Sequence, residues 1–429
     1  MNERERIAWL DRRVGFGSGP GALDARAGSG ATAVLEGLFA PATAPDPWAA
    51  VPVATFDNGG DNRAKQALYQ QTVAAWLVSM ATTPDPFGEW LRWFWHGHFV
   101  STLRVVRFPQ LMVQQLQLFG RQGLGDFRSL LHSVTIDPAM LIYLDGTTSR
   151  KGAVNENYGR EVLELFALGI GNYTEADVRA AAEALTGWRT ERPAKAQGVA
   201  TFDPKRHDDA PKAFLGRTVH DVDTVIDAIV AHPACAPFVT RALAEAILGP
   251  AVDGSLVQRL STDFAASGLQ LRPLVRAILD AGLDGDASRE LVLAPVPWLA
   301  MMIRSTGVPA EQVVTTFGER GLVAAGQVPM DAPNVAGWPD RRAWLSSSAT
   351  VARFNMAAGL APLVPAEAAA RVHAQAGDLD ALADDFGRPA GFSAATTKAL
   401  HDLHAATPGD RRATAVLTVA MASPDLVMA

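Results

Sequence analysis

The sequence predicts a mostly all-α protein, a single large multi-helical domain over residues 1–429 with a small β-hairpin inserted near residues 198–218. Three observations carry that reading. Apolar residues recur at helical spacing along most of the chain, so each stretch presents one stripe for burial. Prolines close stretches, as in Thr83-Pro84-Asp85-Pro86, where a missing donor and a restricted preceding residue stop a helix. Residues 198–218 trade the helical period for short extended runs.

The first long helix is expected over residues 62–82, where Ala67-Leu68, Val73, Trp76-Leu77 and Met80 fall at helical spacing. An aromatic helix restarts at 86–96. Further helices are expected at 109–121, 124–134, 155–168, 174–186, 221–231 and 233–248. They continue at 254–267, 271–282, 289–304, 350–360, 366–376, 393–405 and 409–422. Thr174 with Asp177 is a weakened capping box, and Glu175 and Asp177 suit the positive end of a helix. Val199-Ala200-Thr201-Phe202 and Lys212-Ala213-Phe214-Leu215 flank a turn-rich centre, which reads as the hairpin. Residues 326–346 include Asn334-Val335-Ala336-Gly337-Trp338-Pro339, a structured loop whose tryptophan packs on the helices. Residues 376–392, acidic and glycine-containing, are the most linker-like stretch, a short one before the C-terminal helices.

Composition narrows the function classes. A chain with 48% hydrophobic residues buries a substantial core, and 19% charged residues are too few for a disordered one. A net charge of −7 offers no footprint for nucleic acid. The single cysteine, Cys235, excludes an internal disulfide or a CxxC pair and reads as a small core residue. No stretch approaches the ~20 apolar residues of a membrane span. The charged, amphipathic start of the chain lacks a signal-peptide core, so a cytoplasmic location is the default expectation. Export alongside a signal-bearing partner stays open.

Three polar clusters are candidates for chemistry. His96 and His98, in Phe94-Trp95-His96-Gly97-His98-Phe99, can face one metal only if the backbone opens out at Gly97. In a helix, residues two apart point about 200° away from each other. The second cluster is Asn155-Glu156-Asn157-Tyr158-Gly159-Arg160-Glu161-Val162-Leu163-Glu164-Leu165-Phe166. Asn155 is a natural N-cap, and Arg160 lies four residues from both Glu156 and Glu164, which allows a salt-bridge ladder. Asn157, Glu161 and Glu164 share another face, where two carboxylates and an amide can bind a divalent cation or share a proton. Tyr158 falls on the apolar stripe and adds a phenol to the same turns. The third cluster places His207 beside Asp208 and Asp209 at the tip of the expected hairpin, as ligands, an acid/base pair or a polar turn.

Read in order, these segments resemble the bacterial family called domain of unknown function 1800. The resemblance rests on the 94–99 segment, Asp137-Pro138-Ala139-Met140-Leu141-Ile142-Tyr143-Leu144-Asp145, the 155–166 run, and Ala184-Leu185-Thr186-Gly187-Trp188. His207-Asp208, Pro333-Asn334-Val335 and Gly337-Trp338-Pro339 complete it. The chain departs where Val154 replaces a usual proline and Gly159 a usual alanine. The resemblance implies no reaction. By association it implies a partner similar to sulfatases and alkaline phosphatases.

Two functions follow as expectations. In the first, the protein is a metal-dependent hydrolase with a divalent metal ion on His96, His98, His207 and Asp208. Glu161 would then act as general base or ligand, Glu164 as the second carboxylate, and Arg160 as the anion stabiliser, with Asn157 and Tyr158 beside them. In the second, it is a non-enzymatic helical scaffold or the binding partner of a sulfatase- or phosphatase-like protein. Its polar runs would then be internal salt bridges and caps.

Overall fold

In the computed structural model, all residues are described except 42–45, 49–61, 191–197, 288–290, 340 and 429. The apolar spacing at residues 62–82 produces one helix, Asn62–Thr82, which packs on Pro295–Thr306 and Ala310–Ala325. The aromatic stretch continues beyond its expected end as Pro86–His98, with Pro86 in the first turn and the Asp85 carboxylate accepting from Gly88 N–H at 3.0 Å. One continuous apolar core runs through the helices and includes the fully buried Trp76, Trp95, Trp298 and Phe166. Cys235 lies in it, and burial pushes its thiol up to about 12. No single helix among the described residues is long and apolar enough to cross a membrane. One bent pair, Val222–Val230 with Cys235–Leu248, passes that test by length and composition.

The fold is mostly helical with the expected small inserted β structure, but the strands pair differently from the expected hairpin. Lys212–Phe214 pairs with Arg217–Val219, whereas Ala200–Phe202 pairs with the upstream strand Trp188–Thr190. The physical reason lies at Leu215-Gly216, both left-handed (φ 48° and 73°), which close a two-residue turn immediately after Phe214. Ala200–Phe202 then takes Trp188 as its neighbour, with the Trp188 and Phe202 rings 5.3 Å apart. The linker-like stretch carries the helix Leu379–Asp385, and both Leu382 and Phe386 are fully buried.

The 155–168 segment is two kinds of helix in series. Asn157–Glu161 is α-helical, and Val162–Ala167 widens into a π-turn. Asn155 caps it one residue earlier than a standard N-cap, its side-chain oxygen accepting from Asn157 N–H at 2.9 Å. Glu175–Ala184 follows, started by the capping box between Thr174 and Asp177. The two helices touch at Gly159, where a β-carbon would lie 2.8 Å from the Val178 carbonyl oxygen. The usual alanine of the family therefore does not fit this packing without a shift. Gly159→Ala is expected to lower stability by about 1–3 kcal/mol, the usual cost of overpacking, measured by chemical denaturation. An unchanged midpoint would mean that the two helices part freely.

Candidate functional site

Residues Pro86–His98 turn through one unbroken helix, so positions four apart stack on one side. The Trp90 and Phe94 rings lie 5.8 Å apart and within 15° of parallel. Phe94 and His98 repeat the arrangement at 5.9 Å and 16°. Trp93, one position round the helix, stacks on Trp338 of the 326–346 loop at 4.8 Å. The loop reaches this close because Gly337 is left-handed (φ 89°) and a β-carbon there would stand 3.1 Å from the Gly97 carbonyl oxygen. Trp90, Trp93, Phe94, His98 and Trp338 form one wall of a cleft of about 370 Å³. Arg12, Glu245 and Gln327 contribute polar groups to it.

His98 sits deep in that wall yet keeps contact with solvent. Its Nε2 meets the Phe166 carbonyl oxygen at 2.9 Å. Burial holds the imidazole down to about 4, so the ring is neutral at pH 7. A carbonyl only accepts, so Nε2 carries the proton and Nδ1 keeps its lone pair. The Phe166 carbonyl is available because it lies in the last turn of a helix, where carbonyls lack intrahelical partners. His98 thus joins the 94–99 and 155–166 segments through one hydrogen bond.

The structure places the other expected ligands apart from His98. The helix does not open at Gly97, so His96 points away from His98 and is fully buried. Trp76 and Trp338 enclose His96 with centroids at 5.0 and 5.8 Å, neither ring nitrogen has a hydrogen-bond partner among the described residues, and burial holds the ring down to about 3. His207 packs on Phe202 and turns Nδ1 to the Thr186 carbonyl oxygen at 2.9 Å. Asp208 lies between Lys151 and Lys212, at 3.6 and 3.5 Å. Backbone donation from Ala210 and the charges of those two lysines hold its carboxyl below the usual range, although burial opposes them. Among the described residues, no three His, Cys, Asp or Glu side chains are grouped to hold a metal ion.

Most of the 155–166 run is satisfied within the fold. Arg160 forms a two-pronged bond to Glu175 at 2.8 and 2.7 Å and lies 3.9 Å from Glu156. The expected ladder to Glu164 is replaced, since Glu164 accepts from the Tyr173 hydroxyl at 2.7 Å. Asn157 donates to Asp145 at 3.1 Å. Tyr158 is buried and donates to Thr135 at 2.8 Å, and burial raises its phenol well above the ordinary value. Glu161 differs. It is half-buried, and desolvation together with the nearby Glu164 raises its carboxyl, while Arg160 opposes the shift.

Sequence reasoning missed the pair Glu89 and Arg92. Arg92 donates to the fully buried Glu89 at 3.1 Å, to Asp46 at 2.8 Å and to the Leu116 carbonyl at 3.2 Å. Trp48 Nε1 also donates to Glu89, at 3.1 and 3.2 Å. The available signal was the i, i+3 spacing of opposite charges inside an otherwise aromatic helix. It missed the cleft wall as well, which the i, i+4, i+8 rings at 90, 94 and 98 spell out.

The comparison with known families agrees with the resemblance. The chain belongs to the family described as protein of unknown function (DUF1800), whose model matches residues 9–428. No curated protein and no solved structure matches the chain.

Glu161 makes a pH-dependent prediction. Its folded value lies above its unfolded one, so its stabilising contribution is present below the ordinary carboxylate range and is lost as pH rises through the folded value. Glu161→Gln is therefore expected to melt above wild type at pH 8, with the gap closing by about pH 4. Equal melting temperatures at both pH values would remove the argument that Glu161 is held against its charge.

Proposed function

We propose that the protein is a binding protein whose aromatic cleft receives a small ring-shaped ligand. The carrying observation is the wall formed by Trp90, Trp93, Phe94 and Trp338, which ends at the neutral His98. Cleft volumes of about 300–1,000 Å³ with aromatic linings and a few polar points are the usual form of small-molecule sites. This reading develops the non-enzymatic expectation. It is supported by the fate of Arg160, Glu164, Asn157, Tyr158 and His207, which spend their polar atoms on caps and internal bonds.

A second reading, acid/base catalysis by a hydrolase, is favoured by Glu161 alone, a half-buried carboxyl beside Glu164 at the junction with a π-turn. π-Turns recur at functional sites, which gives that reading weight without a metal. The sulfatase- or phosphatase-like partner remains a proposal carried by the family resemblance.

The test is native mass spectrometry and elemental analysis of protein purified without a tag. The expected result is a small-molecule adduct that is lost in Trp93→Ala while the circular dichroism spectrum is kept. Metal content is expected to be the same in wild type and in a His96→Ala/His98→Ala double variant. Stoichiometric metal in wild type, lost from a folded double variant, would overturn the binding reading in favour of the metallohydrolase.

A further inference from the structure

We infer that the ligand of the aromatic cleft is a sugar ring, stacked on the indole and phenyl wall and donating a hydroxyl hydrogen bond to His98 Nδ1. This rests on the binding reading above and adds the ligand's chemical class and its recognition atom.

The inference starts from what His98 can offer. With Nε2–H committed to the Phe166 carbonyl at 2.9 Å, the polar atom this cleft-lining ring has left for a ligand is Nδ1, an acceptor. A ligand that presents only acceptors there would leave Nδ1 facing another lone pair, a loss comparable to an unmade hydrogen bond. The ligand must therefore carry a donor next to an apolar face.

The rest of the lining narrows the class. A cation would suit aromatic faces, but Arg12 and Arg13 both border the cleft, and its carboxylate, Glu245, already has Arg241 at 3.6 Å. A flat hydrocarbon-like ring would use the aromatic wall and leave the polar points unused. A pyranose has both characters: its C–H face is apolar and slightly positive, matching the negative face of an indole, while its edge carries hydroxyls that donate and accept. The wall supplies the stacking partners, His98 Nδ1 supplies an acceptor, and the amide nitrogen of Gln327, whose oxygen already accepts from Val296 N–H at 2.9 Å, supplies donors.

The test uses the full chain, with its intrinsic tryptophan fluorescence read for the saccharides and choline and isothermal titration calorimetry for indole and benzoate, which absorb in the same range. Probes are the methyl pyranosides of glucose, galactose and mannose and the disaccharide cellobiose, with indole, benzoate and choline as controls. His98→Gln keeps an amide that can donate to the Phe166 carbonyl but loses the acceptor at Nδ1. His98→Asn places a side-chain oxygen close to the Nδ1 position. At least one saccharide is expected to shift the wild-type emission, with affinity falling about tenfold in His98→Gln and staying within about threefold in His98→Asn. Nitrogen-15 NMR of the wild-type imidazole should find the proton on Nε2, a readout that needs no variant and no ligand.

Binding of indole, benzoate or choline with inert saccharides would overturn the sugar class and leave the cleft reading standing. A saccharide affinity unchanged in His98→Gln, or a proton found on Nδ1, would overturn the role given to His98. No response to any probe, with no adduct on the purified protein, would overturn both the inference and the binding reading beneath it.

Discussion

The helical register of Pro86–His98 is the constraint on which the rest depends. Each residue turns the helix by about 100°, so side chains four apart align and those two apart oppose. Trp90, Phe94 and His98 therefore line the cleft together, while Glu89, Arg92 and His96 are driven into the interior. No local choice at a single residue produces this division. If the chain had opened at Gly97, the two histidines would converge and the ring wall would lose its last member.

The second motif serves the first. The 155–166 run reads in sequence as a concentration of reactive groups, yet its backbone makes the decisive contact. Widening into a π-turn at Val162–Ala167 brings the Phe166 carbonyl to His98 Nε2 and fixes which nitrogen carries the proton. The polar side chains around it mostly lock the turn in place: Arg160 to Glu175, Tyr173 to Glu164, and Asn157 to Asp145. Such bonds give the turn a frame, because each hydrogen-bonded side chain stabilises one geometry.

The fold was legible where periodicity or capping acts within a few residues. The bounds of Asn62–Thr82, the capping box at Thr174 and the packing of Trp338 all follow from local spacing and side-chain chemistry. The pairing of Ala200–Phe202 was not legible, because its partner Trp188 lies upstream and a left-handed turn at Leu215-Gly216 closed the other strands on themselves. The site was half legible. His98 stood out by type, but its tautomer depends on a carbonyl 68 positions away in the chain. His96 stood out equally and is enclosed by tryptophans, a fate that no His-x-His spacing encodes.

The interior side of the ring helix explains why the cleft can be preformed. A buried carboxylate and guanidinium cost several kcal/mol in desolvation and recover it only through close, multiple bonding, so they tolerate very few arrangements. Glu89 and Arg92 have such bonding from Trp48, Asp46 and the Leu116 carbonyl. The facing helix, Pro109–Gln122, leaves room for the guanidinium because residue 120 is glycine, whose absent β-carbon would otherwise fall on Arg92. One turn beyond, Trp95 Nε1 donates to the Gly123 carbonyl at 2.9 Å. These contacts fix both the rotation and the height of the ring helix against its neighbour. The aromatic wall on its outer side is then held in place before any ligand arrives, and binding need not supply the entropy of ordering it.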